Sequence, residues 1–137
     1  MKTETKQRIE KMKLAAKQGE VKSLYDLGQA YDSMGDFDKS FYWYQKSAEQ
    51  GNIEAQLHIG LMYSMGEGVK KDFSKSLYWV KKSAQQGCSE ATFILGTMYE
   101  AGHGVKKNLT KAIILLKKAA AEGSFSAALM LVQNDYV

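Results

Sequence analysis

Several residue types and patterns are scarce in this chain. Its 137 residues include no proline and one cysteine, Cys88, so an internal disulfide is excluded. The two histidines, His58 and His103, have no spacing typical of a zinc site. No run approaches the roughly 18 apolar residues of a membrane-spanning helix. The N-terminal MKTETKQRIEKMK has no apolar segment after its charges, which argues against a signal peptide and predicts a cytoplasmic protein.

An internal repeat dominates what is present. The spacing of Gly51, Gly87 and Gly123 is 36 residues, and most positions after Gly51 recur after Gly87 at that offset. An earlier unit of the same kind is four residues shorter after Gly35. We therefore predict a single domain, 1–137, with a half-repeat at 1–19, repeats at 20–51, 52–87 and 88–123, and a half-repeat cap at 124–137.

A period in the 30s with two helical stretches per unit is typical of a solenoid of helix pairs. We predict first helices of each pair, the A helices, near 21–34, 52–65, 88–101 and 124–136. The second, B helices are predicted near 3–18, 37–50, 73–86 and 109–122. Asp36, Asp72 and Asn108 precede B helices, where a short side chain caps free backbone N–H groups. The expected fold is all-α, with about eight helices.

One repeat carries a specific resemblance. It reads Glu54-Ala55-Gln56-x-x-Ile59-Gly60-x-Met62-Tyr63-x-x-Gly66-x-Gly68-Val69-x-Lys71-Asp72-x-x-Lys75-x-x-x-Trp79-x-x-Lys82-x-Ala84-x-Gln86-Gly87. This string resembles the Sel1-like repeat, a relative of the tetratricopeptide repeat. The resemblance implies a right-handed α-solenoid (superhelix) of antiparallel helix pairs that acts as an adaptor for protein complexes, commonly without enzymatic activity. The first unit departs from the pattern, since it lacks the Gly-x-Gly-Val loop, and the cysteine pairs of some secreted members are absent.

Charge is distributed unevenly between the two sets of helices. The predicted A helices, expected to line the concave wall, hold six acids against one base, Lys22. These acids are Asp26, Asp32, Glu54, Glu90, Glu100 and Asp135. From residue 51 onward every lysine falls in an A–B loop or a B helix. An acidic wall favours a basic partner segment. The alternative is that these charges only complement the helix dipoles.

The A helices also carry a row of varied side chains on the expected inner groove. Tyr25, Leu57, Phe93 and Leu129 share one repeat position, and polar or variable residues flank them. The predicted partner-binding set is Tyr25, Gln29, Asp32, Leu57, Leu61, Ser64, Phe93, Thr97, Glu100 and Leu129. An apolar row within a polar rim is the anatomy of a protein-binding hot spot. The alternative is that Leu57 and Phe93 are ordinary interhelix core.

Positions that recur faithfully are predicted to form the core instead. They are Ala55, Ile59, Tyr63, Phe73, Trp79 and Ala84. If Trp43 or Trp79 is buried, its replacement by alanine should cost about 3–5 kcal/mol. The glycines inside the A helices, Gly28 and Gly96 among them, predict a bulky neighbour, either a tryptophan ring or a backbone.

The function predicted from these features is a non-enzymatic protein-interaction module that binds a basic and apolar partner segment. We expect no small-molecule substrate, cofactor, metal or membrane among its partners. The chain is expected to be a monomer or an end-to-end dimer. One alternative is a bacterial immunity protein that masks a toxin domain. Another is nucleic-acid binding through a lysine stripe, which we expect to lack interleaved aromatics and which consists of Lys70-Lys71, Lys106-Lys107, Lys81-Lys82 and Lys117-Lys118. An enzyme would need His58, His103 or Cys88 to cluster.

Overall fold

The computed structural model of the chain describes residues 2–137, which form eight α-helices and no strand. The helices are α1 (Lys2–Lys17), α2 (Val21–Ser33), α3 (Phe37–Glu49), α4 (Ile53–Met65), α5 (Phe73–Gln85), α6 (Ser89–Ala101), α7 (Leu109–Ala121) and α8 (Phe125–Gln133). The predicted all-α fold of about eight helices is confirmed. The A helices are thus α2, α4, α6 and α8, and the B helices are α1, α3, α5 and α7.

The chain divides into two compact units, an N-terminal unit of residues 1–71 and a C-terminal unit of residues 72–137. In the N-terminal unit α1 packs on α2, α2 on α3 and α3 on α4. In the C-terminal unit α5 packs on α6, α6 on α7 and α7 on α8. Within each unit the helices therefore bury apolar surface against their neighbours in sequence, as expected of stacked helix pairs.

The predicted caps of three B helices are present. The side chains of Asp36, Asp72 and Asn108 each accept a hydrogen bond from the backbone N–H of the residue three positions later. The distances are 3.2, 3.1 and 3.0 Å. Each bond satisfies a donor that has no partner within the helix. The four short B–A connections contain Gly19, Gly51, Gly87 and Gly123, all at positive φ. Sequence position alone therefore located these helix ends.

The last helix is shorter than predicted. We expected it to reach residue 136, but α8 ends at Gln133 and Asp135 adopts a φ of 53°. The chain turns back at this point, because the N–H of Tyr136 donates to the carbonyl of Leu131 at 2.9 Å. The Tyr136 hydroxyl also donates to Glu100 of α6 at 3.0 Å. These two bonds replace the last helical turn.

A hydrophobic core cluster lies between the helices of each unit. In the N-terminal unit Ile9, Leu27 and Tyr31 are buried, with Met12 and Trp43 packed at the edge. In the C-terminal unit the corresponding cluster joins α7 to α8. Its buried members are Leu116, Ala119, Ala127 and Leu131.

The glycines inside the A helices do admit close neighbours. The tryptophan alternative is wrong, whereas the backbone alternative holds in part, since a Cβ on Gly96 would lie 3.3 Å from the carbonyl oxygen of Ala112. A Cβ built on Gly28 would lie 2.8 Å from Cγ of Tyr44, and one on Gly96 would lie 3.1 Å from Cγ of Leu116. Tyr44 and Leu116 hold equivalent places on the B helices that follow. The ring or side chain of the B helix therefore rests directly on the A-helix backbone.

The prediction that Trp79 is a buried core residue is wrong. Trp43 and Trp79 are half-buried, and each packs edge-on against the preceding tyrosine of its helix. Phe73 and Ala84 are likewise half-buried, whereas Ala55, Ile59 and Tyr63 are buried as predicted. Truncating a half-buried tryptophan should cost less than the roughly 3–5 kcal/mol of a fully buried one.

Candidate protein-interaction surface

Tyr25 is the centre of the predicted binding residues in the N-terminal unit. Its half-buried ring lies 5.6 Å from the ring of Tyr44 and 6.1 Å from the imidazole of His58, measured between centroids. One and two turns further along α2, Gln29 and Asp32 are exposed. This part of α2 therefore presents one face of an aromatic ring and two polar side chains to solvent.

The α4 residues of the predicted set are less accessible. Leu57 is only 7% exposed and belongs to the core, which leaves little of it for a partner. Leu61 and Ser64 are half-buried, and the Ser64 hydroxyl donates to the carbonyl of Leu61 at 2.7 Å. The alternative interpretation of Leu57 as interhelix core thus matches its burial, while Leu61 and Ser64 keep part of their surface.

A groove adjoins these residues in the N-terminal unit, between α1 and α2. Its volume is about 690 Å³, and Gln29 of the predicted set lies in its lining. Apolar atoms come from Ile9, Met12, Ala30 and Met34, and polar ones from Arg8, Lys22, Asp26 and Ser33, among others. Six of the ten lining residues are polar, so the groove is a mixed surface, about as apolar as an ordinary protein interface. The part of this surface formed by α1 was not predicted, because a half-repeat gives no periodic signal.

The C-terminal unit holds the remaining members of the set. Phe93 is half-buried and packs against the α7–α8 core cluster. The Thr97 hydroxyl donates to the carbonyl of Ile94 at 2.7 Å, and Glu100 accepts from Tyr136. Leu129 is 44% exposed. In this unit Leu129 is the most accessible apolar member, while Thr97 and Glu100 are engaged within the protein.

The acid excess on the A helices is slightly smaller than predicted. Asp135 lies beyond the end of α8, so the A helices contain five acids and the single base Lys22. In the N-terminal unit these negative charges affect the pKa values of two tyrosines. Burial raises the pKa of Tyr25, and the negative charges of Glu54 and Asp26 raise it further. Burial likewise raises the pKa of Tyr44, with a contribution from Asp32.

Aromatic and lysine side chains lie side by side on exposed faces of the B helices. Lys82 of the predicted stripe lies beside Tyr78, contrary to the expectation that the stripe lacks interleaved aromatics. Tyr42 and Tyr78 are each 52% exposed. The ammonium group of Lys46 lies 5.0 Å from the Tyr42 ring centroid, and that of Lys82 lies 5.0 Å from Tyr78. The recurrence of Tyr-Trp at 42–43 and 78–79 was the signal available in the sequence.

The two histidines that an enzyme would need are packed against aromatic rings, each in its own unit. His58 stacks on Tyr44 at 4.6 Å in the N-terminal unit, and His103 stacks on Phe73 at 4.2 Å in the C-terminal unit. Cys88 stands just before the first turn of α6. Over residues 2–137 no group of three or more His, Cys, Asp or Glu side chains is placed to hold a metal ion. None of the helices described is both long enough and apolar enough to cross a membrane.

Comparison with known families assigns the repeats. The Sel1 repeat model matches residues 21–52, 53–88 and 89–124, which together are more than half of the chain. The chain belongs to the Sel1 repeat family. Sel1 repeats generally mediate protein–protein interaction and serve as non-catalytic scaffolds. The resemblance to the Sel1-like repeat predicted from the sequence is therefore confirmed.

Solved structures similar to this Sel1 repeat chain include three from bacteria. A protective antigen present in uropathogenic Escherichia coli strains, which displays an SLR fold, has 33% identity over 87% of this chain and 26% of its own, with a TM-score of 0.81. A Sel1 repeat protein from Oxalobacter formigenes has 34% identity over 92% and 98%, with a TM-score of 0.79. Helicobacter pylori cysteine rich protein B has 26% identity over 96% and 97%, with a TM-score of 0.74. The chain thus spans about a quarter of the first protein and nearly all of the other two.

Proposed function

We propose that this chain is a non-enzymatic, cytoplasmic interaction module that binds a segment of a partner protein with its A helices. In the N-terminal unit the contact would centre on Tyr25, Gln29 and Asp32 and extend into the groove between α1 and α2. In the C-terminal unit Leu129 and the exposed parts of Phe93 would supply apolar contacts. The scaffold positions repeat while these contact positions vary, and this is how a helical repeat protein encodes one partner.

The groove between α1 and α2 is the observation that carries the proposal. It combines apolar side chains such as Ile9 and Met34 with the polar Gln29 and Asp26, and it is large enough for several side chains of a partner. The acids near Tyr25 favour a Lys or Arg beside the apolar anchor. An immunity protein that masks a toxin domain would use the same contacts, so only the identity of the partner separates it from a general adaptor.

Affinity purification from the source cell, with mass spectrometry of the eluate, tests the proposal. The bait is used as wild type, as the pair Gln29→Arg with Asp32→Arg, and as Lys46→Glu, an exposed change of charge on the B helix α3. We expect one stoichiometric protein that remains bound at about 0.5 M salt, since an apolar contact is not screened. The double variant Gln29→Arg, Asp32→Arg should no longer co-purify with this protein, whereas Lys46→Glu should still do so. Loss with Lys46→Glu alone would overturn the assignment to the A helices.

Nucleic-acid binding is a second candidate because of the exposed Tyr78 beside Lys82. An exposed ring next to a lysine is a means of stacking a base near a phosphate. Such binding would depend steeply on salt, since phosphate contacts release counterions. Nucleic acid that elutes with wild type at low salt, is lost at about 0.5 M salt and is lost with Tyr78→Ala at low salt would favour this candidate. Retention with Tyr78→Ala would count against it.

A further inference from the structure

Two lysines act on the hydroxyl of one tyrosine in the C-terminal unit. Tyr99 of α6 is only 5% exposed. Lys111, in the first turn of α7, places its ammonium group 4.7 Å from the centroid of the Tyr99 ring. Lys81 of α5 also acts on the Tyr99 hydroxyl, through its charge and a hydrogen bond. A hydrogen bond from Lys111 lowers the pKa of Tyr99, Lys81 adds to the effect, and burial opposes it.

The equivalent tyrosine of the N-terminal unit, Tyr31, also has two lysine neighbours, but there each lysine forms an ion pair with a carboxylate. Lys39 lies 5.5 Å from the ring centroid, and Lys13 interacts with the Tyr31 hydroxyl, which raises the pKa of Lys13. Each lysine also has a carboxylate. Lys13 pairs with Glu10 at 3.5 Å and Lys39 with Asp36 at 3.8 Å. The two positive charges at Tyr31 are therefore balanced within the unit.

Both carboxylates are replaced at the Tyr99 position. Tyr78 stands where the repeat has Glu10, and Asn108 stands where it has Asp36. Asn108 keeps the capping geometry, since its side-chain oxygen accepts from the backbone N–H of Lys111 at 3.0 Å. Within residues 2–137 neither Lys81 nor Lys111 has a carboxylate within 4.0 Å. The fold is retained, and the balancing charge is missing.

We propose that Lys81, Lys111 and the Tyr99 hydroxyl form a binding site for an oxyanion, a phosphate or carboxylate group. An ammonium group offers only donors, and the phenol offers a third, so the ligand that satisfies them must carry acceptors and negative charge. A single oxygen-rich group between the two lysines would take the role that Glu10 and Asp36 have at Tyr31. This site is in the C-terminal unit and does not depend on the surface proposed above.

The test uses the full chain with ¹³C-labelled tyrosine rings, observed by NMR at constant ionic strength. The probes are inorganic phosphate and, separately, a short glutamate peptide. We expect a saturable shift of the Tyr99 ring signal and no saturable shift at Tyr31, which serves as the internal reference. A response to phosphate alone, to the peptide alone or to both supports the site and names the source of the oxyanion. No saturable response at Tyr99, or an equal one at Tyr31, overturns it.

Substitutions assign the response to these residues. Asn108→Asp restores one of the two carboxylates present at Tyr31 and should fold, because aspartate caps α3 and α5 in the same place. It should weaken probe binding about two- to fivefold, the effect of one exposed ion pair. Lys81→Gln with Lys111→Gln should abolish the saturable shift, whereas the matched pair Lys13→Gln with Lys39→Gln should leave it unchanged. Undiminished binding by Asn108→Asp and by the folded Lys81→Gln, Lys111→Gln variant would contradict the assignment.

Discussion

Two buried serines of α3 differ in a single hydrogen bond. Both side chains are fully buried, and the Ser40 hydroxyl donates to the carbonyl of Gly28 at 2.9 Å. The Ser47 hydroxyl has no hydrogen-bond partner among residues 2–137. A buried hydroxyl without a partner is costly, whereas a paired one contributes to stability. The two positions therefore allow the value of one hydrogen bond to be measured inside one helix.

We expect Ser40→Ala to lower the free energy of unfolding by about 1 kcal/mol, because its hydrogen bond to Gly28 is lost. Ser47→Ala should be neutral or stabilise the protein by up to about 1 kcal/mol, since it removes an unpaired hydroxyl and alanine favours a helix. Urea unfolding followed by circular dichroism measures both. Equal destabilisation by the two changes would mean that packing of the hydroxyl, and not its pairing, sets the cost.

Some residue roles could be predicted from the sequence and others could not. The capping roles of Asp36, Asp72 and Asn108 follow from local chemistry, because the bond is made within the same turn. The neighbour of Gly28 depends on how two helices face each other, and both Tyr44 and Trp43 fitted the spacing. Adjacent positions on a helix point about 100° apart, so a repeat alone does not say which of the two turns inward.

In each unit the long A–B loop contacts the start of the preceding B helix. In the N-terminal unit Gly66 and Gly68 have φ of 71° and 70°, so both occupy the left-handed region. Their surroundings differ. A Cβ on Gly68 would overlap the carbonyl group of Phe37 at the start of α3, with its carbon at 2.7 Å. A Cβ on Gly66 would meet only Lys71, at 3.3 Å or more.

We expect Gly66→Ala to cost about 1–2 kcal/mol, the strain of a left-handed alanine. Gly68→Ala should cost about 1–3 kcal/mol more, because the loop must also move away from α3. Thermal and urea unfolding of the two variants give the comparison. Equal costs would show that the loop does not need to contact the Phe37 carbonyl. The same pair of positions in the C-terminal unit, Gly102 and Gly104, provides an independent repeat of the measurement.

Most helices could be placed from sequence because their ends carry local signals. Asp or Asn at the start and glycine at the end bound the B helices, and the 36-residue offset transfers each boundary to the next repeat. The end of α8 breaks this rule, because the same offset from α6 would carry the helix to the last residue. Its termination depends on Tyr136 bonding back to Leu131 and Glu100, which are contacts made only in the folded chain.

For the molecule as a whole, the binding surface was only partly predictable. Varied positions on the A helices could be listed from the repeat, and Gln29, Asp32 and Leu129 are exposed. The burial of Leu57 could not be foreseen, because the same repeat position is half-buried in Tyr25 and Phe93. The contribution of α1 to the groove was missed as well. Exposure depends on side-chain size and on neighbours outside the repeat, and neither is periodic.

The alkaline limit of stability is a property of the whole chain, in which one tyrosine should be decisive. Tyr44 is 1% exposed, and burial with the charge of Asp32 raises its pKa. The folded protein therefore holds this proton more tightly than the unfolded chain does. Below the ordinary tyrosine pKa of about 10 the two states bind it equally, and above that value folding stability falls as the pH rises.

We expect the free energy of unfolding of wild type to fall between pH 9.5 and 11 by up to about 1.4 kcal/mol per pH unit more than that of Tyr44→Phe, since one group changes protonation. Urea unfolding at closely spaced pH values gives the slopes. Tyr42→Phe, at an exposed position, is the control and should follow wild type. Because lysines titrate in all three proteins, only the difference in slope is diagnostic. Parallel curves for wild type and Tyr44→Phe would mean that Tyr44 ionises without unfolding the chain, and that its packing on Gly28 opens in the native state.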